Sequence, residues 1–411
     1  DGNHLEESGG DGGMKWEKVK LGNVTDSCLG KMLDQNKNKG DYQPYLANVN
    51  VRWGEFDLEN LPLMKFEESE QERYELKYGD LVICEGGEPG RCAIWKEQIP
   101  NMKIQKALHR VRVHDCLDYR YLFYWFLLAG KTGELDQYFT GATIKHMPGQ
   151  KLKEVVIDKP PLEIQHRIAD ILSAYDDLIE NNQKQIKLLE EAAQRLYKEW
   201  FVDLNFPGHE NTKIVDGVPE GWSIYPFSSK VDIMSGGTPK TSIPDYYNGK
   251  IPFYTPKDND GAFFAYKTQM NITEGGLKNC NSRLYPPKTV IITARGTVGK
   301  TTILAVPMAM NQSCYALKMK ENDAPYYLFF ALNNEIKALQ TMANGGVFNT
   351  IIGKTFDSIN IQIPKDPLIY GFEETVRPFM EQIKNKLQAN LKLVEARDRL
   401  LPKLMNGEVE A

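Results

Sequence analysis

The sequence predicts an α/β (α+β) protein in which two related globular domains alternate with two long helices. Two observations support this prediction. Six sequence blocks in the first half of the 411-residue chain recur in the same order in the second half. Each half then ends in a heptad-like apolar pattern of helical length. The chain is also longer than one ordinary hydrophobic core supports, which favours more than one domain.

The N-terminal segment DGNHLEESGGDGG is polar and glycine-rich and has no apolar stretch, so residues 1–13 predict neither a signal peptide nor a folded element. We expect an artificial leader or a disordered N-terminus ahead of Met14. This segment holds four carboxylates, and without them the formal net charge changes from −5 to −5 + 4 = −1. A near-neutral chain still binds nucleic acid where its Lys and Arg residues cluster.

The composition, with 41 % hydrophobic and 26 % charged residues, is typical of a soluble globular protein. No apolar run approaches the ~18 residues of a membrane helix. The six cysteines form no C-x-x-C pair, so we predict neither a metal site nor a redox site. Cys84 and Cys92 are predicted to be buried thiols rather than a disulfide, as expected for a reducing cytoplasm.

The internal repeat is clearest where GDLVICEGGEPGRCAIW, from residue 79, aligns with KTVIITARGTVGKTTIL, from residue 288. This alignment places Gly90 on Gly299. Further along, GATIKHMPGQKLKEVVIDKP matches GGVFNTIIGKTFDSINIQIP, with Gly141 on Gly345. Chance explains one such block but not six in the same order. The sequence therefore predicts an internal duplication of one globular domain and the helix that follows it.

The segment ARGTVGKT, from Ala294, is one residue short of the phosphate-binding pattern G-x-x-x-x-G-K-[ST]. A phosphate-binding loop is followed directly by a helix, whereas TTILAVPMAM is β-branched, alternating and interrupted by Pro307. We therefore predict a β-hairpin tip that both copies share. Its cations, Arg91, Arg295 and Lys300, suit close approach to a phosphate backbone. The alternative is an ATP-hydrolysing loop at Ala294–Thr301.

Both long helices are predicted from apolar positions that follow a four-three spacing, which is typical of a coiled-coil seam. The first seam comprises Ile168, Leu172, Tyr175, Ile179, Asn182, Ile186, Leu189, Ala193, Leu196 and Trp200. The second comprises Val376, Phe379, Ile383, Leu387, Leu391, Val394 and Leu400. Asn182 interrupts its seam, and we expect this amide to set the helix register. The alternative is that each helix packs only on its own globular domain.

Two copies of one domain in a single chain tend to pack about a pseudo-twofold axis. Such an axis would make the helices antiparallel and place one globular domain at each end. Helices of roughly 35 residues are about 50 Å long, which equals about one and a half turns of B-DNA. This arrangement predicts a reader of a split, asymmetric DNA site.

From Met14 onward, the sequence closely resembles the specificity subunits of Type I restriction–modification enzymes. The resemblance is carried by VPEGWSIYPFSSKVDIMSGGTPKTSIPDYYNGKIPFYTPKDND, by PPLEIQHRIADILSAYDDLIENNQKQIKLLEEAAQRLYKEWF and by RDRLLPKLMNGEVE. The first copy has DSCLGKMLDQNKNKGDYQPYL where the second has its G-G-T-P opening. The two domains are therefore expected to read unrelated half-sites.

The resemblance implies that residues 14–161 and 210–366 are target recognition domains, each reading one half of a bipartite double-stranded DNA site. Residues 162–209 would form the first spacer helix and its linker, and residues 367–411 the second spacer helix. It also implies two methyltransferase subunits bound to the helices, with motor-nuclease (restriction) subunits joining through them. S-adenosylmethionine, ATP and Mg would bind those partners, and this chain would hold no cofactor. The implied location is the cytoplasm of a prokaryote, at the nucleoid.

No catalytic residue is predicted. The nearest approach to the [DN]-P-P-[YF] loop of an adenine methyltransferase is DKPPL, from Asp158, whose two prolines more simply end a strand and begin a helix. Carboxylates along the helices lie at heptad flanks, as expected for solvated faces. We therefore predict a non-catalytic subunit. A scaffold that binds only proteins remains as a further alternative.

The predicted DNA-contacting residues are polar or cationic side chains in loops, because Asn, Gln, Arg, Lys, Ser and Thr contact bases and phosphates. In the first domain they are Lys31, Asn36, Lys37, Lys39, Gln43, Asn48, Asn50, Arg52, Arg91, Thr143 and Lys145. In the second domain they are Thr238, Lys240, Thr241, Ser242, Tyr247, Lys250, Lys257, Asn259, Arg295, Lys300, Asn344 and Asn349.

Overall fold

The computed structural model describes residues 16–34, 38–342, 351 and 353–409 of the chain. The chain divides into two compact units. Unit 1 comprises Asp1–Ile179 with Leu393–Ala411, and unit 2 comprises Glu180–Lys392. Within the described residues, no helix combines the length and apolar content that a bilayer-crossing segment requires.

The globular part of unit 1 is built from short strands and short helices. In chain order these are β1 (Glu17–Lys20), β2 (Thr25–Leu29), β3 (Asp41–Leu46), β4 (Leu63–Phe66), α1 (Gln71–Tyr74), β5 (Leu81–Cys84), β6 (Cys92–Ile94), β7 (Lys103–Ile104), β8 (Leu108–Val113), α2 (Tyr119–Thr132), α3 (Gly149–Glu154) and β9 (Val156–Lys159). Helix α4 (Leu162–Tyr197) follows and continues into unit 2.

The sheets of unit 1 are ordered β2-β8-β5-β6, β4-β3-β7 and β1-β9. All four side chains of strand β5 are buried. Alternate side chains point to opposite faces of a sheet, so both faces of this strand are covered. Leu81 and Ile83 pack with the aromatic residues of α2, whereas Val82 and Cys84 belong to a second apolar cluster. The central strand is therefore enclosed on both sides, and only its loops reach the surface.

Unit 2 repeats this set of elements. In chain order these are β10 (Ile214–Val215), β11 (Val218–Pro219), β12 (Ser223–Pro226), α5 (Phe227–Lys230), β13 (Val231–Ser235), β14 (Tyr247–Tyr254), β15 (Phe264–Ala265), β16 (Asn271–Ile272), α6 (Glu274–Lys278), β17 (Val290–Thr293), β18 (Thr301–Leu304), β19 (Ala309–Met310), β20 (Cys314–Met319), α7 (Pro325–Met342), α8 (Gly353–Asp357) and β21 (Asn360–Ile363). Helix α9 (Asp366–Met405) follows and ends in unit 1.

The strand order of unit 2 confirms the predicted duplication. Its main sheet is β13-β20-β17-β18-β15, which matches the order β2-β8-β5-β6 with β15 added at one edge. The small sheets β16-β14-β19 and β12-β21 match β4-β3-β7 and β1-β9. Even the parallel pairing recurs, between β3 and β7 in unit 1 and between β14 and β19 in unit 2.

The long helices pair within each unit. In unit 1, Ile168 and Leu172 of α4 share an apolar cluster with Leu401 and Leu404 of α9. Arg397 of α9 also donates a hydrogen bond to the Asp176 carboxylate of α4. Leu401 and Leu404 follow Leu400, the last residue of the predicted second seam, and extend the apolar contact between the helices.

In unit 2 the two helices run antiparallel. Asn182 of α4 meets Asn390 of α9, whereas Tyr197, later in α4, meets Phe372, earlier in α9. Val376 and Ile383 of the predicted seam are fully buried. The structure thus confirms the antiparallel pairing within this unit.

The predicted register residue Asn182 is 7 % exposed, and its amide donates to Asn390 Oδ1 at 2.8 Å. The two amides are 208 positions apart, so one copy of the repeat pairs with the other. A polar pair inside an apolar seam favours the one register in which both amides meet, because any shift leaves them unpaired.

The Asn182→Leu variant is expected to lower the free energy of unfolding by about 1–3 kcal/mol, because it leaves the Asn390 amide without its partner in the seam. The double variant Asn182→Leu/Asn390→Leu replaces both partners and is expected to recover most of that loss. Urea denaturation of the two single variants and the double variant tests this. A double variant less stable than either single variant would contradict it.

Each long helix also binds a backbone N–H at the start of a shorter helix through a buried polar side chain. In unit 1, Gln165 of α4 accepts a hydrogen bond from the Asp118 N–H at 2.9 Å, next to the first turn of α2. In unit 2, Glu373 of α9 accepts from the Tyr327 N–H at 2.7 Å, in the first turn of α7. These hydrogen bonds hold α2 and α7, and hence the sheets against them, on the long helices.

Burial raises the pKa of Glu373 to about 7, against the opposing effect of the Tyr327 hydrogen bond. The folded protein therefore retains this proton at pH values where the unfolded chain has lost it. The contribution of Glu373 to stability is fully present below the unfolded pKa of 4.5 and is lost as the pH rises towards 7. The decline from this single group amounts to about 3 kcal/mol.

The Glu373→Gln variant is expected to lose this pH dependence, because the amide oxygen still accepts the Tyr327 hydrogen bond without titrating. Chemical denaturation between pH 5 and pH 8 gives the free energy of unfolding of the wild type and the variant. Titrating groups that both proteins share cancel in the difference between the two free energies. Parallel curves for the two proteins would show that the Glu373 pKa is not raised.

Candidate nucleic-acid interface

Three surface segments meet at one edge of unit 1, and together they are termed cluster 1. They are the tip between β5 and β6 (residues 85–91), the turn Asn48–Asn50 and the loop 139–147. The Asn48 amide donates to Gly86 O at 3.0 Å, and the Met147 N–H donates to Glu85 O at 2.7 Å. The turn and the loop are thus both hydrogen-bonded to the hairpin between β5 and β6.

Unit 2 has the corresponding arrangement, termed cluster 2, in the tip between β17 and β18 (residues 294–300) and the turn Pro256–Asp258. The Thr297 hydroxyl donates to Pro256 O at 3.4 Å. The Ile351 N–H donates to Ala294 O at 2.9 Å, the counterpart of the bond from Met147 to Glu85. The same framework is therefore kept in both units although the loop sequences differ.

The tip between β17 and β18 is a hairpin, as predicted, because these strands pair antiparallel. The Gly299 N–H donates to Thr293 O at 2.9 Å and the Lys300 N–H to Thr293 Oγ1 at 3.1 Å. Both amides are therefore occupied within the turn and cannot cradle a phosphate. The left-handed conformation at Gly299, with φ of +83°, explains why glycine recurs here and at Gly90.

A cavity of about 980 Å³ borders this tip and is lined in part by Lys300 and Thr301. In a nucleotide-binding loop, the threonine hydroxyl holds the phosphate-bound Mg²⁺. Here the Thr301 hydroxyl donates to Asn333 Oδ1 at 2.7 Å. Neither the backbone nor this hydroxyl therefore has the arrangement of a phosphate-binding loop.

Many of the predicted DNA-contacting side chains are exposed. These are Lys39, Arg52, Thr143 and Lys145 in unit 1, and Thr238, Lys240, Thr241, Ser242, Lys250, Lys257, Arg295 and Lys300 in unit 2. Lys145 belongs to cluster 1, and Lys257, Arg295 and Lys300 belong to cluster 2. The structure thus gathers three cations at the tip and turn of cluster 2.

Three predicted residues are instead committed to the interior, which corrects their assignment as DNA contacts. Lys31 is 3 % exposed, and its ammonium binds the Glu70 carboxylate at 2.5 Å. Asn50 accepts from the Ala47 N–H at 2.9 Å and so closes its own turn. Asn259 is 8 % exposed and accepts from the Gly261 N–H at 3.1 Å. These groups have exchanged water for partners inside the fold.

Two other predicted residues hold surface loops in place. The Arg91 guanidinium donates to Asn48 O at 3.2 Å, which ties the hairpin tip to the turn. The Tyr247 hydroxyl donates to Pro239 O at 2.7 Å, which holds the loop that carries Lys240. Both residues are therefore better placed to position the loops than to read DNA directly.

Gln43 and Asn48 each have a buried side-chain oxygen with no hydrogen-bond partner among the described residues. Buried polar atoms are normally paired, so the unpaired oxygen of Asn48 in cluster 1 indicates that water or a ligand completes it, whereas Gln43 lies in β3, outside the clusters. Four further predicted residues, Asn36, Lys37, Asn344 and Asn349, lie outside the described residues.

The cysteine at the base of the cluster 1 hairpin is a buried thiol. Burial raises the pKa of Cys84, at the base of the cluster 1 hairpin, to about 11, so this thiol stays protonated at neutral pH. Cys84 and Cys92 are both buried and free, as predicted. Within the described residues, no group of three or more His, Cys, Asp or Glu side chains is arranged to hold a metal ion.

The sequence interpretation missed two features of these surfaces. The side-chain oxygen of Gln312 accepts a hydrogen bond from the Thr238 hydroxyl and so fixes one predicted contact residue. Ile144 in cluster 1 is 75 % exposed. An isoleucine between polar residues carries no local signal of exposure, because apolar loop residues more often pack inward.

Known proteins are similar to this chain in sequence and in fold. A family model described as the Type I restriction modification DNA specificity domain matches residues 14–191 and again residues 219–389. The specificity subunit of the Type I restriction enzyme MjaIX, from Methanocaldococcus jannaschii, is 30 % identical over 339 residues, which cover 80 % of this chain and 78 % of the relative.

Two further comparisons agree. The specificity subunit of the Type I restriction enzyme HindI, from Haemophilus influenzae, is 24 % identical over 346 residues, covering 68 % of this chain and 75 % of the relative. The crystal structure of a Type I restriction–modification S subunit from M. genitalium superposes with a TM-score of 0.55 at 17 % identity, covering 95 % of this chain and 96 % of that one. The last comparison shows a common fold.

Proposed function

This chain belongs to the family of Type I restriction–modification specificity subunits, and from that premise we propose that each unit reads one half of a bipartite, asymmetric DNA site. The carrying observation is that both units hold the same framework of hairpin tip and turn but present different side chains on it. Cluster 1 presents Thr143 and Lys145 on the loop 139–147 beside this framework, whereas cluster 2 presents Lys257 on its turn and Arg295 and Lys300 on its tip. The same backbone framework with different exposed side chains suits recognition of two unrelated half-sites.

In this proposal the chain recognises the DNA sequence, and its partner subunits carry out the catalysis. Two methyltransferase subunits dock on the long helices, and restriction subunits join through them. S-adenosylmethionine, ATP and Mg²⁺ bind those partners. Apolar residues outside the predicted seam support docking on α4, because Leu178 is 46 % exposed in unit 1 and Leu188 is 65 % exposed in unit 2.

The test is to co-express the chain with its methyltransferase subunit and to map N6-methyladenine across the host genome by single-molecule sequencing. We expect one split motif with a constant gap. Exchange of residues 14–161 for the corresponding domain of a relative should change one half of the motif and leave the other half and the gap intact. A soluble complex that methylates nothing, or an unsplit motif, would overturn the proposal.

The two competing functions predict different results. A scaffold that binds only proteins predicts no salt-dependent affinity for DNA. An ATPase that uses Ala294–Thr301 predicts a nucleotide-dependent increase in melting temperature that Lys300→Ala abolishes. The occupied amides and the Thr301 hydroxyl bond count against the ATPase.

A further inference from the structure

The loop 139–147 of cluster 1 carries an exposed apolar side chain, and so does the turn Asn48–Asn50 of the same cluster, where Val49 is 69 % exposed. Ile144 is 75 % exposed, more than any other large hydrophobic residue that the structure describes. Its neighbours Thr143 and Lys145 are exposed as well. Exposure on this scale leaves the side chain almost no role in the core, so packing within the fold does not account for it.

The backbone of this loop is closed on itself. The Thr140 N–H donates to His146 O at 2.8 Å, and the His146 N–H donates back to Thr140 O at 3.0 Å. Gly141 has φ of +92°, and a Cβ atom there would lie 2.3 Å from Ile144 O. The β-branched side chain of Ile144 is also stiff about χ1. The loop therefore presents a preorganised apolar tip.

Bridges to the central hairpin fix the position of this tip within cluster 1. Gly86 and His146 form an isolated β-bridge, beside the hydrogen bond from Met147 to Glu85. The Lys145 ammonium lies 5.7 Å from the centre of the Phe139 ring and 3.5 Å from an Asp136 carboxylate oxygen. The apolar tip thus has a cation beside it, which suits a surface that meets a DNA backbone.

We propose that Ile144 is an apolar wedge that inserts between adjacent base pairs of the half-site read by unit 1 and partly unstacks them. Proteins that deform DNA commonly insert Ile, Leu, Phe, Met or Pro side chains into a base step in this way. The inference rests on the proposed function, because it requires cluster 1 to face DNA. It adds a shape-reading residue to the polar contacts.

The other reading of an apolar tip is contact with a thymine methyl group in the major groove. The internal repeat favours the wedge. Alignment of Gly141 with Gly345 places Phe348 opposite Ile144 in the sequence, although Phe348 lies outside the described residues. Both copies thus have a large apolar residue at this position, although the two half-sites are expected to differ. Unstacking of a base step, unlike the reading of one methyl group, is a role that both copies can share.

The experiment uses the assembled methyltransferase complex and duplexes of the mapped site, with 2-aminopurine placed in turn at each position of the first half-site. Unstacking raises the fluorescence of this base. At saturating protein, we expect the wild type to raise it severalfold at one base step, and Ile144→Ser to return it to the value of free DNA. Ile144→Leu keeps an apolar wedge and should restore the signal.

Two controls separate the wedge from other effects. Ile214→Ser makes the same substitution at another exposed isoleucine, outside the clusters, and is expected to leave the signal unchanged. Lys145→Ala removes a phosphate contact, so it should weaken DNA binding and reduce the slope of log affinity against log salt concentration by about 1. At saturating protein it should keep the fluorescence signal. Since Ile144 is exposed, its substitution should not change the melting temperature of the complex.

Each contrary outcome has its own meaning. Binding by the wild type without any rise in fluorescence would overturn the wedge and leave the proposed function standing. A defect of Ile144→Ser in assembly with the methyltransferase, in the absence of DNA, would assign the residue to a protein contact and also overturn the wedge. If the complex binds no DNA, the proposed function fails and the wedge fails with it.

Discussion

Combined replacement of Lys257, Arg295 and Lys300 by alanine is expected to weaken DNA binding by on the order of 100-fold at 0.1 M salt. All three side chains are exposed. The tip that carries Arg295 and Lys300 is joined to the turn that carries Lys257 by the bond from Thr297 to Pro256. Each cation that neutralises a phosphate releases a counterion, so affinity and its dependence on salt fall together.

The measurement is the slope of log affinity against log salt concentration for the assembled complex. Loss of three phosphate contacts should reduce its magnitude by about 3, and the affinities of variant and wild type should converge at high salt. Lys213→Ala/Lys318→Ala/Lys365→Ala removes the same charge from exposed positions of unit 2 outside cluster 2. If this control weakens binding as much, the effect reflects net charge and cluster 2 is not the contact surface.

Phe372→Ala is expected to destabilise unit 2 by about 3–5 kcal/mol, which is the cost of removing a buried phenyl ring. Phe372 is fully buried in α9 and joins α9, the end of α4 and α7. Its ring contacts those of Tyr197, Trp200, Phe201, Tyr327 and Phe330, with centroid distances between 5.1 and 6.5 Å. Truncation leaves a cavity that several rigid rings cannot collapse to fill.

Hydrogen-exchange mass spectrometry during urea denaturation tests this prediction, because it follows the two units separately. Protection in unit 2 should be lost at a lower urea concentration, and protection in the globular part of unit 1 should stay. Phe372→Leu keeps most of the apolar volume and is expected to cost less than about 1.5 kcal/mol. A loss below about 1 kcal/mol for Phe372→Ala would show that this aromatic cluster does not hold α7 on the helices.

Several features of the architecture were predictable because they repeat in the sequence. The aligned glycines Gly90 and Gly299 both fall in left-handed turns at hairpin tips, since the same backbone conformation excludes a side chain in each copy. Pro307 and the alternating residues around it favoured a strand over a helix after the tip, which argued against a phosphate-binding loop. Asn182 was recognisable as a register residue because a polar side chain interrupts an apolar seam.

The candidate site was less predictable, since a list of polar loop residues does not say which of them point outward. Glu70 reaches Lys31 from 39 positions away, and the sequence carries no signal for that pairing. Asn259 shows the same limitation, because its amide turns inward and reaches Thr301 O in the neighbouring strand at 3.4 Å. Arg91 resembles a tip cation in the sequence, yet it binds the backbone of a turn that is distant in the chain.

By itself the sequence determined that this protein is a duplicated α/β chain with two long helices, because repeats and heptad spacing are local and periodic properties. Only the tertiary structure decided which loops form each cluster, which cations stay in water and that Ile144 is exposed. The physical reason is that burial and pairing depend on neighbours brought together by folding. Those neighbours differ between Lys31 and Lys145 although the two side chains are chemically identical.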